Sequence, residues 1–235
     1  MSDGEVKQSA AAEPHYLGHR ERLRERFAKG GAEALSDYEL LELMLFIAIP
    51  RRDVKPLAKA LIAKFGSFAN VITAEPELLS EFKFVGDNAV AAIKMVQAAA
   101  LALMRENIMA KPVIGSWQAV LDYCRASMAY NKIEQFRVLF LDRKNVLIAD
   151  EVQQKGTVDH TPVYPREVIK RALALQASAI ILVHNHPSGD PTPSRDDIDM
   201  TRNIVDAGKK LGIAVHDHIV VGKKGIASFK TLGLL

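Results

Sequence analysis

Apolar residues recur at helical spacing through the first half of the chain. This spacing predicts five helices between residues 15 and 109, separated by turn and capping residues. Ser36 and Glu39 have the spacing of a capping box, which predicts that the second helix begins there. Asp87 is predicted to cap the last and longest helix, which is rich in alanine. We therefore expect a helical N-terminal domain.

The pattern changes after residues 111–115, which we interpret as a linker. Apolar runs of strand type then appear for the first time, and helical segments alternate with them. The predicted strands are residues 136–141, 146–153, 179–183 and 213–221. The predicted helices are residues 116–130, 165–175 and 195–211. Such interleaving predicts an α/β or α+β domain built on a mixed sheet.

These patterns divide the chain into three parts. They are a disordered tail at residues 1–14, a helical domain at residues 15–110, and a mixed-sheet domain at residues 111–235. The 31 basic and 28 acidic residues nearly balance, so composition alone does not indicate nucleic-acid binding. Cys124 is the only cysteine, which excludes an internal disulfide and a cysteine-rich zinc site. No apolar stretch approaches the length of a membrane span, and we expect a cytoplasmic protein.

The segment with the most chemistry follows the third predicted strand. An apolar run ends in His184-Asn185-His186, and because side chains alternate along a strand, both imidazoles face the same side. Their Cα atoms would lie roughly 6.5 Å apart, a spacing that allows both to bind one metal ion. A proline-rich loop leads to Ser194, which can cap a helix whose first turn contains Asp197. Two histidines, one carboxylate and an open position are the pattern of catalytic zinc.

Each of these features also has a purely structural interpretation. A His-x-His at a strand end can be a polar pair without a metal. Ser194 and Asp197 can form a capping pair, because an acid is favoured at the positive end of a helix. A second His-x-His, His216 and His218, has no third ligand nearby in sequence. We expect Asp217 or His218 to support the first site as an acceptor for an imidazole N–H.

The segment resembles, position for position, the JAMM motif of the MPN domain family: His-x-His, seven residues, Ser, two residues and Asp. Its surroundings resemble the RadC family more specifically, and the likeness runs over nearly the whole chain after the tail. The matching pieces are the Gly-Thr-Val at residues 156–158, Tyr164-Pro-Arg-Glu167, His184-Asn-His-Pro-Ser-Gly189, Asp217-His218, His19-Arg20, Leu35-Ser-Asp-Tyr-Glu39 and Phe65-Gly66.

The resemblance implies a role for each residue of the motif. His184, His186 and Asp197 would bind Zn²⁺, and Ser194 would help to hold the tetrahedral intermediate. A glutamate just before the first long strand would act as the general base, and Glu134 occupies that position. The fold implied is α/β (α+β), with an MPN domain after the helical one.

Two other acids compete with Glu134 for the role of general base. Glu151 ends the second predicted strand and is interpreted as solvent-facing. Glu167 lies in the first turn of a helix, where acids are favoured for structural reasons. We predict Glu134, because its sequence position matches the one that the resemblance implies. A carboxylate there would take a proton from a water whose pKa the metal lowers to about 7.

The N-terminal domain resembles a helix-hairpin-helix DNA-binding unit, whose backbone N–H groups bind phosphate. The usual turn is Gly-apolar-Gly, whereas here Phe84 takes the place of the first glycine and Asp87 follows Gly86. Glu21 and Glu25 alternate with the arginines of the first predicted helix. At most weak nucleic-acid binding is expected from this domain.

The preferred function is a JAMM-type zinc hydrolase that cleaves peptide or isopeptide bonds with a zinc-bound water. Its substrate would be a protein or a peptide, and the N-terminal domain would recruit it. The first alternative is a DNA-repair-associated protein that binds nucleic acid or processes DNA with a metal. The second alternative is a binding module of the same fold that does not catalyse.

Overall fold

The computed structural model describes residues 15–109, 111–155 and 163–235. The predicted tail at residues 1–14 and the Gly-Thr-Val motif at residues 156–158 lie outside the described residues. The chain forms two compact units that divide between Val96 and Gln97. This division lies inside the last helix of the N-terminal half, ahead of the expected boundary at residue 110, and the limits of the domains stay a prediction.

The N-terminal unit is helical, as the apolar spacing predicts. Its elements are α1 (His15–Gly30), a 3-10 turn (Ala32–Ala34), α2 (Asp37–Ala48), α3 (Lys55–Phe65), α4 (Phe68–Thr73), α5 (Pro76–Ser80) and α6 (Asp87–Met109), which continues into the second unit. The capping box of Ser36 and Glu39 is present at the start of α2. The sequence pattern misses α4, because six residues are too few to show a helical period.

The His19-Arg20 pair stabilises the N-terminal unit from within. The His19 Nε2 atom lies 2.9 Å from the carboxylate of Glu42, whose side chain is fully buried. The Arg20 guanidinium donates hydrogen bonds to the carbonyl oxygens of Ile49 and Arg52, at 3.0 and 2.6 Å. Both carbonyls lie between the end of α2 and the start of α3. This part of the family resemblance therefore has a structural role.

The C-terminal unit contains the mixed sheet. Its elements after α6 are a 3-10 turn (Val113–Ser116), α7 (Trp117–Met128), β1 (Gln135–Leu141), β2 (Leu147–Lys155), α8 (Pro165–Ala174), β3 (Ala179–Asn185), α9 (Arg195–Lys210), β4 (Ala214–Gly222) and β5 (Gly225–Ser228). The strand order is β2-β1-β3-β4-β5, in which only β3 and β4 are parallel neighbours. The predicted mixed sheet is confirmed, and the four-residue β5 is an addition to it.

Helices cover both faces of this sheet. On one face, Ile181 of β3 belongs to a core cluster with Val120 of α7. On the other, Leu182 belongs to a cluster with Val168 of α8 and Ile204 of α9. Every residue of β3 is buried, as expected for a strand with both faces covered. Because α9 connects β3 to its parallel neighbour β4, the carboxyl end of β3 and the N-terminus of α9 meet at one edge.

The expectation that no apolar stretch approaches the length of a membrane span does not hold for α6. This helix is long and apolar enough to cross a membrane by length and composition, and 11 % of its most apolar window is buried, but one such helix is weak evidence by itself. Ala89 and Ile93 of α6 belong to the core of the N-terminal unit, and Ile108 belongs to the core of the C-terminal unit. The cytoplasmic location stays a prediction.

Candidate metal centre

The two histidines of the His-x-His segment converge at the end of β3. His184 is buried within the strand, and the backbone N–H of His186 donates to the carbonyl oxygen of Val221, which extends the pairing with β4 by one residue. The Nε2 atoms of the two rings lie 2.9 Å apart. Strand alternation therefore brings the two rings to one side, as the sequence predicts.

Asp197 reaches the same point from the first turn of α9. Its Oδ1 atom lies 3.1 Å from the Nε2 of His184, and its Oδ2 atom lies 3.4 Å from the Nε2 of His186. Burial alone would raise the pKa of Asp197, but the neighbouring imidazoles of His184 and His186 and the hydroxyl of Ser194 bring it well below its usual range. The carboxylate is thus ionised, which is the form that binds a metal.

The three side chains fit a zinc ion. Their candidate ligand atoms all lie within 4.8 Å of one another, and the closest pairs are separated by 2.9, 3.1 and 3.4 Å. Ligands about 2.0–2.1 Å from a tetrahedral zinc are separated by about 3.3–3.4 Å, so a small outward movement would accommodate the ion. Two imidazoles and one carboxylate are also a donor set that zinc prefers.

One contact fixes the orientation of the His186 ring. Its Nδ1 atom lies 2.8 Å from the carbonyl oxygen of Asp190, which can only accept a hydrogen bond. The proton of the neutral ring is therefore on Nδ1, and the lone pair of Nε2 faces His184 and Asp197. The pKa of His186 is raised, first because the Asp197 carboxylate would accept from a proton added at Nε2 and against the effect of burial, with smaller contributions from Asp190 and the charge of Glu134.

The loop between His186 and α9 packs closely on the β4–β5 hairpin. Gly189 has a φ of 86°, a conformation that favours glycine, and its carbonyl oxygen accepts from the backbone N–H of Lys224 at 3.0 Å. A Cβ added at Gly222 would lie 2.4 Å from that same carbonyl oxygen. The close contact between the loop and the hairpin therefore requires glycine at both positions, Gly189 in the loop and Gly222 at the end of β4.

Glu134 lies directly before β1, in a segment tied to the metal end of β3. The buried side chain of Asn185 accepts from the backbone N–H of Gln135 at 2.9 Å and donates to the carbonyl oxygens of Asn131 and Ile133. These hydrogen bonds lie on both sides of Glu134 in sequence. The charge of Glu134 also acts on His186, so this acid lies within electrostatic range of the cluster.

Comparison with known families matches residues 114–234 to the family described as RadC-like JAB domain and residues 15–91 to the one described as UPF0758 N-terminal. The first match covers more than half of the 235 residues. The chain belongs to the RadC family. Its C-terminal unit is therefore a domain of the MPN/JAB superfamily, which includes hydrolases and whose members often bind zinc.

In this RadC-family chain, both rivals of Glu134 are engaged by cations on α8. The Glu151 carboxylate accepts from the Nε and NH2 groups of Arg171 at 2.8 and 2.5 Å, and hydrogen bonding to Arg171 lowers its pKa. Glu167 lies 3.2 Å from Arg166 and 3.6 Å from Lys170.

Ser194 forms the structural contact that its spacing also allows. Its hydroxyl donates to the Oδ2 of Asp197 at 2.6 Å and accepts from the backbone N–H of Asp197 at 3.1 Å. Together with the backbone N–H of Ser194, these bonds complete a capping box at the start of α9. The capping role is observed, and the role in holding an intermediate stays a prediction.

Only His218 of the second His-x-His contacts His184, while His216 and Asp217 bind other groups. His218 is fully buried and its Nε2 lies 2.8 Å from the Nδ1 of His184. Asp217 instead accepts from the Ser228 hydroxyl and the backbone N–H of Lys230, while His216 contacts the side chain of Asn145. Burial lowers the pKa of His218 well below its usual value, so this ring is neutral.

Sequence reasoning missed Asn185 and Thr201. The former lies between the two histidines, and only the fold shows that its amide binds the segment before β1. Thr201 is buried on α9, and its hydroxyl lies 2.6 Å from the Nδ1 of His218. One signal was present for Thr201, because it follows Asp197 by four residues and so shares its helix face.

Proposed function

We propose that this protein is a zinc-dependent hydrolase that cleaves peptide or isopeptide bonds. The observation that carries the proposal is the convergence of His184, His186 and Asp197 within 4.8 Å, beside the segment that contains Glu134. His184, His186 and Asp197 would hold the metal. Bound zinc would supply Lewis acidity, which activates water and polarises a carbonyl oxygen.

Glu134 is the proposed general base. Its segment is held by the amide of Asn185, and its charge acts on His186. A carboxylate oxygen of Glu134 would take the proton of the attacking water and deliver it to the leaving amine. This kind of proton transfer contributes roughly 10²–10⁴-fold to a rate. Glu134→Gln should therefore stop hydrolysis without removing the metal ligands.

Ser194 is the proposed donor to the developing oxyanion. Its hydroxyl proton is directed at Asp197, so this role requires the hydroxyl to turn toward the substrate during the reaction. Ser194→Ala separates the two roles when Ser36→Ala serves as control, because Ser36 occupies a second capping box. Both variants should lose about 0.5–2 kcal/mol of stability. Only Ser194→Ala should also lower the rate of the zinc-loaded protein.

Cleavage of a peptide library and of isopeptide-linked conjugates tests the proposal. The zinc-loaded chain should cut amide bonds, Glu134→Gln should be inactive with unchanged zinc content, and Glu151→Gln should retain activity. Plasmid DNA serves as the competing substrate. If His184-dependent cutting occurs on plasmid and on no amide, the chain is a DNA-processing protein, and the proposal is wrong. If neither is cut, the binding-module alternative applies.

A further inference from the structure

A continuous series of buried hydrogen bonds runs from His184 to the backbone of Asp197. The Nδ1 of His184 lies 2.8 Å from the Nε2 of His218, and the Nδ1 of His218 lies 2.6 Å from the hydroxyl of Thr201. The same hydroxyl lies 2.5 Å from the backbone carbonyl oxygen of Asp197. This series of hydrogen bonds therefore starts at one candidate metal ligand, His184, and ends on the backbone of another, Asp197.

The carbonyl oxygen of Asp197, at the end of this series, fixes the direction of every hydrogen bond in the series. A carbonyl only accepts, so the single proton of the Thr201 hydroxyl is directed at Asp197. The hydroxyl must then accept from the Nδ1–H of His218, which leaves a lone pair on the Nε2 of His218. That lone pair accepts from the Nδ1–H of His184. The Nε2 of His184 is consequently the nitrogen without a proton.

The surroundings hold His218 in this role. His184, His218 and Thr201 each expose 1 % or less of their surface, so water does not compete for these hydrogen bonds. The His218 ring packs at 4.5 Å from the ring of Phe229 and at 5.9 Å, edge to face, from Phe136. A ring caged in this way cannot flip to exchange its two nitrogens without opening the core.

We propose that His218 and Thr201 are positioning residues that hold His184 in the tautomer whose Nε2 lone pair points at the metal. This inference rests on the proposed metal site. It assigns a function to Asp197 beyond its carboxylate, because the backbone of Asp197 sets the tautomer of His184. A movement of α9 that displaced Asp197 would therefore alter two ligands together.

Zinc affinity of the full chain, measured by competition with a chromophoric chelator, tests this role. Thr201→Val keeps the shape of the side chain but removes the hydroxyl, and it should weaken zinc binding about 10–100-fold. Thr201→Ser restores the hydroxyl and should bind zinc like the wild type. Equal zinc affinity in all three proteins would overturn the proposal.

Nitrogen-15 NMR of the imidazole rings gives a second readout that does not depend on activity. In the zinc-loaded wild type, His184 should carry its proton on Nδ1, and His218 should carry its proton on Nδ1 with a lone pair on Nε2. A proton on the Nε2 of His218 would overturn the proposal.

A merely structural Thr201 would lower the melting temperature of the metal-free Val variant without changing its zinc affinity. If the wild type binds no zinc, the proposed function fails. The tautomer of His218 in the metal-free protein still tests the series of hydrogen bonds from His184 to Asp197.

Discussion

The backbone N–H of Gln135 donates to the side chain of Asn185 at 2.9 Å, so the residue between the two histidines holds the segment that contains Glu134. Asn185→Ala removes this bond and both bonds that the amide donates. Because a small displacement of a catalytic group costs about 10²-fold in rate, we expect a fall of that size in hydrolysis with zinc content unchanged. Steady-state kinetics and metal analysis of the same samples check it.

The Asp variant at this position tests the two bonds that the amide donates. Asn185→Asp keeps the acceptor for Gln135 but places a buried carboxylate against the carbonyl oxygens of Asn131 and Ile133, so its rate should be no higher than that of Asn185→Ala. If Asn185→Ala loses zinc as completely as His184→Ala, Asn185 supports the ligands rather than the segment of Glu134.

Gly222→Ala should disturb the metal centre through the loop. The added Cβ would meet the carbonyl oxygen of Gly189 at 2.4 Å, and the loop backbone would have to move. We expect about 1–3 kcal/mol of lost stability together with weaker zinc binding. Gly225→Ala is the control, since a Cβ there meets no heavy atom within 4 Å. Equal thermal unfolding and zinc affinity in both variants would show that the loop is not held by this contact.

The core of the C-terminal unit includes the end of α6. A stable fragment of this unit should therefore begin before residue 111. Ile108 is buried in this core, and Leu101 and Met104 pack against it. A fragment of residues 97–235 should therefore unfold at a higher temperature than a fragment of residues 111–235, while both bind zinc. Indistinguishable melting temperatures would favour the boundary at residue 110.

Duplex DNA should bind the full chain only weakly. Arg20 is occupied by backbone carbonyls, and the Arg26 guanidinium donates to Glu39 at 2.7 Å. In the hairpin before α6, Phe84 adopts a φ of 78° in place of the usual glycine and stacks under Arg52. Fluorescence anisotropy at physiological salt should give a dissociation constant above about 1 µM. A submicromolar value that rises steeply with salt would support the DNA-processing alternative.

Local patterns account for the positions of the three candidate ligands, and the family resemblance assigned them to a metal. Strand alternation places His184 and His186 together, and the capping box places Asp197 in the first turn of α9, so both arise from neighbours in sequence. The hydrogen bond between His184 and His218 joins two strands, and that between His218 and Thr201 joins a strand to a helix. Contacts of this kind depend on sheet order and register, which periodicity does not encode.

The same reasoning explains which assignments needed the fold. Nothing in the local sequence of Glu151 indicates that Arg171, twenty residues later, binds it. The structure confirms the predicted mixed sheet. The short α4 and β5 were not predicted, because they are below the length at which a period is visible.

Metal stoichiometry of the purified full chain tests the central claim most directly. Elemental analysis after dialysis against buffer with trace zinc should find one zinc per chain, and His184→Ala and Asp197→Ala should each lose it, while Glu134→Gln should keep it. Wild-type protein without any bound first-row transition metal, or an Asp197→Ala variant that retains full zinc content, would contradict the proposed centre.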